Sequence, residues 1–535
     1  MSGKRSSAWA IRGLMVDPAR LMERHAFYFD LVERMADGGL NTLFWHFTDD
    51  EGFMLKLDSH PELAGPGAFG KAEMRRLLAK ASDCGVQIVP EVESLGHARA
   101  ITSLPQYADL ADGGREGGFN AICPSHPRTV PLLRQIIEEV AEVFPSRYFH
   151  AGMDEVNFAG CRRCARRSRG RPAWRLYADH LRAVHGIVTG AGKEMIVWAD
   201  HVEADPAMLR ALPRDVILAH WHYRDVPVEK IRRSVRAGFR VIGCPALCHS
   251  GDMVMPNAAN FTNMDAMVSG LSALRPRGRV LGVMNTWWTS WRGLRDAYLP
   301  AVAYTGKILA TRRPAGKAAF FRGHAREAFG LSGKGAGEAI RALHEDALGR
   351  DEVVAALFDS LADLHRAAVL AEQGRLTERG RRIAAATATL KKALRGARRR
   401  RDELAALVLA GEVMALCCRR VEQTGEALRL YEQAERRHVS DRAAPGVAEC
   451  LDAALDVVRA MRDELRPVCR AAAAEWNRTR YANDPKKWFK DPLWRQWDSL
   501  LVRLAQAEKF SADLARDCRA AIAAYRRTGQ LPGGV

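Results

Sequence analysis

Adjacent carboxylic acids at Asp154 and Glu155, in the run His150-Ala-Gly-Met-Asp-Glu-Val156, could perform acid–base chemistry in this chain. Two neighbouring anions repel, so one of them tends to keep its proton at neutral pH. A carboxylic acid that stays protonated can donate to a departing glycosidic oxygen. Asp-Glu pairs are also common on helix caps, so the pair needs support from its position. Other ionisable or polar groups follow short apolar runs: Asp17, His46, Asp49, Asp50, Glu91, Glu93, His97, Asp200, His201, Tyr223 and Asn285. Trp45, Trp198, Trp221, Trp287, Trp288 and Trp291 accompany them. Aromatic faces pack against the C–H faces of sugar rings, so an acidic pocket lined by Trp points to a carbohydrate. The alternative for each ring is ordinary core.

The elements that must position these groups are eight short apolar runs. They are 13–17 (GLMVD), 41–47 (NTLFWHF), 87–93 (QIVPEVE), 148–155 (YFHAGMDE), 194–200 (EMIVWAD), 216–223 (VILAHWHY), 240–247 (RVIGCPAL) and 280–288 (VLGVMNTWW). Helical patterns such as 71–82, 129–143 and 173–189 separate them. Near-continuous apolar strands alternating with helices predict a parallel sheet buried on both faces. Eight such units predict a closed (β/α)8 barrel, which needs roughly 250 residues. A doubly wound sheet fits the alternation, but no Gly-rich phosphate loop follows the first strand. The ionisable groups fall at or after the C-terminal strand ends, where barrel enzymes keep their active sites. The expected fold class is α/β: a TIM barrel over residues 1–311, then an all-α C-terminal region over 312–535.

Four motifs on four successive strands carry a resemblance. His150-Ala-Gly-Met-Asp-Glu155 is similar to the H-x-G-G-D-E motif of glycoside hydrolase family 20. Arg12-Gly-Leu-Met-Val-Asp17 resembles that family's first strand. Trp45-His-Phe-Thr-Asp-Asp-Glu-Gly52 resembles its signature after strand two, and Pro90-Glu-Val-Glu-Ser-Leu-Gly-His97 its signature after strand three. The pattern covers roughly residues 10–310. The resemblance implies a retaining exo-β-N-acetylhexosaminidase that removes terminal β-linked GlcNAc or GalNAc by substrate-assisted catalysis. Glu155 would be general acid, then base, and Asp154 would orient and polarise the 2-acetamido group. Asp49 and His97 would form a relay that sets the charge on Glu155. Arg12 and Asp50 would bind substrate, and Trp198, Trp221 and Trp288 would wall the pocket. No cofactor and no metal are implied. The alternative is a carbohydrate-binding barrel with little or no activity.

The sequence departs from the pattern in four places. Met153 replaces the second Gly of the motif, and Leu95 replaces a Pro. The stretch 245–252 (PALCHSGD) lacks the family's Tyr, whose hydroxyl Tyr223 is expected to supply instead. Ser290 stands where the family has a Glu that binds sugar hydroxyls.

Composition restricts the other classes. Apolar residues make up 47%, enough for real cores. No apolar run approaches the ~20 residues of a membrane span. The basic start lacks an apolar signal core, so the expected compartment is the cytoplasm. Eleven cysteines, an odd number, favour free thiols. Cys161-Arg-Arg-Cys164 is half of a zinc motif. No second nearby pair has ligand spacing, although Cys84, Cys123 and His126 could approach in space, and a loop of free thiols is the expectation. The net charge of +18 invites a nucleic-acid partner, but its Arg residues are interleaved with Asp and Glu on helical patterns. Solvated helix faces are therefore expected, including at 398–401 (RRRR). The stretch 316–337, rich in Gly and Lys, is expected to loop around a short helix. Trp476, Trp488, Trp494 and Trp497 are expected to pin helices of a bundle that packs against the barrel or mediates a homodimer.

Overall fold

The computed structural model describes residues 9–113, 121–156, 161–172, 174–288, 290–440, 446–480 and 499–531. Strands β1 (Ile11–Val16), β2 (Thr42–His46), β3 (Gln87–Glu91), β4 (Tyr148–His150), β5 (Glu194–Trp198), β6 (Ile217–Trp221) and β7 (Arg240–Cys244) pair in sequence order. A short β8 (Ala246–Cys248) and a long β9 (Val280–Trp287) complete the sheet, and β1 pairs with β9 to close it. Every pairing is parallel. The fold is therefore the expected barrel. The seventh apolar run is split because Pro245 has no N–H to donate to a ladder. Its carbonyl still accepts from the Thr286 N–H at 2.9 Å, so β7 and β8 both run along β9.

Strand alternation sorts the side chains. On β2, Phe44 joins Ile11, Met15, Val89, Ile196 and Met284 in the barrel interior, a cluster topped by Trp198, Trp221 and Trp288. Its neighbour Trp45 points outward, where its ring meets Tyr28 at 4.6 Å and Phe69 at 5.4 Å. Trp287 likewise faces Phe27 and Tyr298 outside the barrel, while Trp288 faces the site. The outer helices include Lys71–Asp83, Thr129–Val143 and Trp174–Gly190, each burying one apolar stripe. Asn285 departs from expectation. It lies in the outward register and donates to Thr305 Oγ1 at 2.7 Å, away from the strand ends.

Beyond the helix Leu299–Thr311 the described chain is helical. Where a loop around a short helix was expected there are two helices, Lys317–Phe329 and Lys334–Glu345. Gly330, at φ 71°, closes the first in the left-handed conformation that glycine adopts without strain. Four long helices follow: Arg375–Gly396, Arg401–Ser440, Val447–Thr479 and Leu500–Thr528. They reach back to the barrel through Arg480, which is 1% exposed. Its guanidinium donates to Glu23 at 3.1 Å and to the Gly293 carbonyl at 2.9 Å, and lies 4.1 Å from the Trp476 ring. Trp488, Trp494 and Trp497 lie outside the described residues. Among the described residues, no helix is long and apolar enough to cross a membrane.

Candidate active site

Three loops at the C-terminal ends of β2, β3 and β4 bring the acidic residues together. Two glycines permit this. A Cβ at Gly96 would collide with the Asp154 carbonyl, and one at Gly152, at φ 62°, would collide with the Glu93 carboxyl. The β4 loop turns sharply, with Met153 at φ 79° and Glu155 at φ 50°. Such angles cost non-glycine residues of order 1–3 kcal/mol and persist only where the surroundings fix them. Here the Met153 N–H donates to Glu93 Oε2 at 3.1 Å. The Glu155 N–H donates to Asp200 Oδ2 at 3.0 Å and the Val156 N–H to His201 Nε2 at 3.1 Å. Asp200 and His201 thus hold the backbone that presents Glu155. This position takes a φ that favours glycine, and Met153 adopts it under strain.

His97 stands between two pairs of carboxylates. Its Nδ1 lies 3.4 Å from Asp49 Oδ1 and 3.3 Å from Asp50 Oδ2. Its Nε2 lies 3.3 Å from Glu155 Oε2 and 3.7 Å from Asp154 Oδ2. Burial works against a charged imidazole, but Asp49 and Asp154 outweigh it and hold His97 well above the usual histidine range. Asp49 is also buried, and Arg20 and His97 pull its carboxyl well below the usual value. Asp154 goes the other way. Burial raises it against the pull of His97, repulsion from Asp200, Glu155 and Glu91 adds to the rise, and the carboxyl reaches about 7. The side chain of Glu155 is 57% exposed, so it can meet a substrate from solvent.

Beneath this layer lies a second buried network. His46 pairs with Asp49 at 2.8 Å and with Glu91 at 2.9 Å. Glu91 also accepts from Trp198 Nε1 at 2.8 Å and lies 3.2 Å from His150. These bonds fix the Trp198 ring, whose centroid is 6.1 Å from that of Trp288. Trp288 Nε1 donates to the Tyr223 hydroxyl at 2.7 Å, and Tyr223 packs 5.2 Å from Trp221. The expected walls and Tyr223 are therefore in one place. Leu247, in the stretch lacking the family's Tyr, is fully buried. The side chain of Ser290 lies outside the described residues.

Arg12 requires a correction. It begins β1 at the opposite end of the barrel, where its guanidinium donates to the Gly39 carbonyl at 2.6 Å and the Trp9 carbonyl at 3.0 Å. At ~3.3 Å per strand residue, β1 itself separates Arg12 from the catalytic rim. A cation at the rim is Arg20, which sequence reasoning missed. It contacts Asp17 at 3.1 Å, Asp49 at 2.7 Å and Glu51 at 3.3 Å, and lies 5.2 Å from the Trp288 ring. Burial disfavours its charge, but Asp49, Asp17 and Glu51 raise it well above the usual value. The available signal was its place three residues after Asp17, in the turn that leaves the strand. Asp50 is divided between His97 Nδ1, at 3.3 Å, and the Arg99 N–H, at 3.2 Å, and so lies beside Asp49 on one side of the imidazole.

Comparison with known proteins assigns the barrel to a family. The description "Glycosyl hydrolase family 20, catalytic domain" matches residues 9–290. A beta-hexosaminidase of Vibrio furnissii is 27% identical over 268 residues, which are 43% of this chain and 42% of that protein. A beta-N-acetylhexosaminidase of Cellulomonas fimi is 27% identical over 260 residues, 44% of this chain and 47% of that protein. The chain thus spans about half the length of these curated relatives. Among solved structures, a family 20 exo beta-N-acetylglucosaminidase from Vibrio harveyi in complex with N-acetylglucosamine superposes with TM-score 0.50 at 23% identity, over 59% of this chain and 57% of that one. A beta-N-acetylhexosaminidase from Bacteroides fragilis superposes with TM-score 0.50 at 20% identity, over 60% and 69%. At these identities the two structures bear on the fold alone, and the match over residues 9–290 assigns the family: the chain belongs to glycosyl hydrolase family 20.

Proposed function

We propose that the chain is a retaining exo-β-N-acetylhexosaminidase acting on terminal β-linked GlcNAc or GalNAc through the substrate's own acetamido group. The observation that carries this reading is His97, which joins Asp49 and Asp50 to Asp154 and Glu155 under a wall of three tryptophans. Glu155 donates its proton to the departing glycosidic oxygen as that bond breaks. The acetamido carbonyl oxygen bonds to the anomeric carbon and closes an oxazolinium ring. Asp154, ionised, accepts from the acetamido N–H and balances the positive charge that develops there. Water then attacks the anomeric carbon, gives its proton to Glu155 and reopens the ring, so two displacements retain configuration.

Arg20 takes the part first expected of Arg12. Its guanidinium has five N–H donors. Three contacts to carboxylates leave donors for sugar hydroxyls. None of the eleven cysteines is joined in a disulfide, which supports the expected reducing, cytoplasmic setting.

The test is hydrolysis of aryl β-N-acetylglucosaminides and β-N-acetylgalactosaminides beside the matching glucosides. Turnover is expected only with the 2-acetamido group present, and a thiazoline mimic of the cyclised intermediate should inhibit strongly. Equal turnover of the glucosides would overturn the substrate-assisted route. Sugar binding without any turnover would leave a carbohydrate-binding barrel.

A further inference from the structure

Behind the catalytic loops, Asp112, Cys123, Cys161 and Cys164 converge in a buried cluster whose ligand-type atoms all lie within 4.8 Å of one another. We propose that this cluster is a structural zinc site with three thiolate ligands and one carboxylate, which clips the loop after β3 to the loop after β4. The C-x2-C motif alone is half of such a site. The fold supplies the other half from 38 residues upstream, at Cys123, and from Asp112 beside it.

The local backbone places all four groups. A bridge between Ala111 and Ile122, with the Asp112 N–H on the Ala121 carbonyl at 2.8 Å and the Cys123 N–H on the Leu110 carbonyl at 2.7 Å, sets Asp112 and Cys123 side by side. Cys161 begins the helix Arg162–Ser168, and the Cys164 N–H points at Cys161 Sγ, 3.5 Å away. An amide aimed at a ligand sulfur is the kind of supporting hydrogen bond that orients metal ligands.

The spacing fits zinc. Four ligands at a Zn–S distance of ~2.3 Å in a tetrahedron hold their sulfurs ~3.8 Å apart. Cys123 Sγ lies 3.5 Å from Cys161 Sγ and 3.7 Å from Cys164 Sγ, and Cys164 Sγ lies 3.5 Å from Asp112 Oδ1. No pair is at disulfide bonding distance, ~2.05 Å. Among the described residues no Lys, Arg or His forms an ion pair with Asp112; the Cys164 thiol faces it at 3.5 Å, and a buried carboxylate without a cation is costly. A dication supplies that partner.

The surrounding charge agrees. Three thiolates, one carboxylate and one Zn²⁺ sum to two negative charges. The helix above the cluster carries Arg163 and Arg167, which donate to the Asp109 carbonyl at 3.3 Å and the Pro124 carbonyl at 3.0 Å, within the hairpin that bears two of the ligands. The basic run 162–171 therefore has a counter-charge beneath it. The position also matters for the catalytic loops. The Ile122 N–H, next to Cys123, donates to the Leu95 carbonyl at 2.8 Å, two residues before His97, and Cys161 follows the Asp154-Glu155 turn. The metal would stabilise the approach of the two loops, with no role in the reaction.

The test is the metal content of the full chain, purified without chelators or metal-affinity resin. About one zinc per chain is expected, with X-ray absorption showing three sulfurs at ~2.3 Å and one oxygen at ~2.0–2.2 Å. Cys123→Ser and Cys164→Ser should each lose the zinc to a competing chelator, while Cys84→Ser, outside the cluster, should keep it. Should the Ser variants prove insoluble, cobalt exchanged into the wild-type protein decides, with thiolate-to-cobalt charge-transfer bands expected. A wild-type chain lacking zinc, iron in its place, a cobalt spectrum without thiolate bands, or a Cys123–Cys161 disulfide found by mass spectrometry would each overturn the site.

Discussion

Arg12 and Arg20 stand at opposite ends of the barrel, and their surroundings have little in common. Arg12 meets the carbonyls of Gly39 and Trp9 at the N-terminal end. Arg20 meets Asp17, Asp49 and Glu51 under the Trp288 ring at the C-terminal end. Neutral carbonyls ask only for a donor, whereas three buried carboxylates ask for a charge. The difference teaches that one end of this barrel is built to hold backbone together and the other to hold charge out of water. Charge held in a dry, fixed arrangement can act on a transition state.

Changes at the rim should therefore alter kinetics, whatever they cost in stability, and changes at the base should leave kinetics nearly untouched. The largest effect is expected from Glu155→Gln, with a loss of ~10²–10⁴-fold in turnover of substrates whose leaving group needs a proton. Activated aryl substrates should lose far less in the first step. Equal losses on both would take Glu155 out of the general-acid role.

Next comes Asp154→Asn, with a loss of ~10²–10³-fold, the usual cost of removing one preorganised electrostatic group. It should also change the pH profile. Burial and neighbouring acids place the Asp154 carboxyl at about 7 in the free protein. Only its ionised form can balance the acetamido charge, so kcat/KM should fall as pH drops through about 7. The variant should lack that limb, and a limb that survived would belong to another group.

The smallest kinetic effects should separate the two arginines. Arg20→Met removes the guanidinium that Asp17, Asp49 and Glu51 share, and breaking such a buried pair costs ~3–5 kcal/mol. KM should rise as well, because donors to the sugar are lost. Arg12→Met should leave kcat and KM nearly unchanged and cost about 1–2 kcal/mol in denaturant unfolding, the scale of lost hydrogen bonds. A large KM change at Arg12 would erase the distinction between the two ends.

The barrel was legible because eight apolar runs and their helices repeat one physical pattern. The carboxylates were legible because they follow strand ends, and His97, Asp49, Asp154 and Glu155 meet as their positions imply. Arg12 was misplaced because a motif match was followed instead of strand geometry. A residue that begins a parallel strand lies at the base, whatever it precedes. Asn285 illustrates the other rule, since a one-residue step along β9 reverses the face. The convergence of Asp112 and Cys123 with Cys161-x2-Cys164 was hidden for a different reason. Their meeting depends on a hairpin and a loop crossing that no local spacing records.

The Glu23–Arg480 ion pair joins positions 457 residues apart. On a ribosome adding ~5–20 residues per second, Glu23 is made on the order of 20–90 seconds before its partner. Burial raises the Glu23 carboxyl even against the pull of Arg480 and Arg295, so before Arg480 arrives that acid has one cation fewer. The loop that leaves the first strand therefore gains this buried partner only after residue 480 has been made.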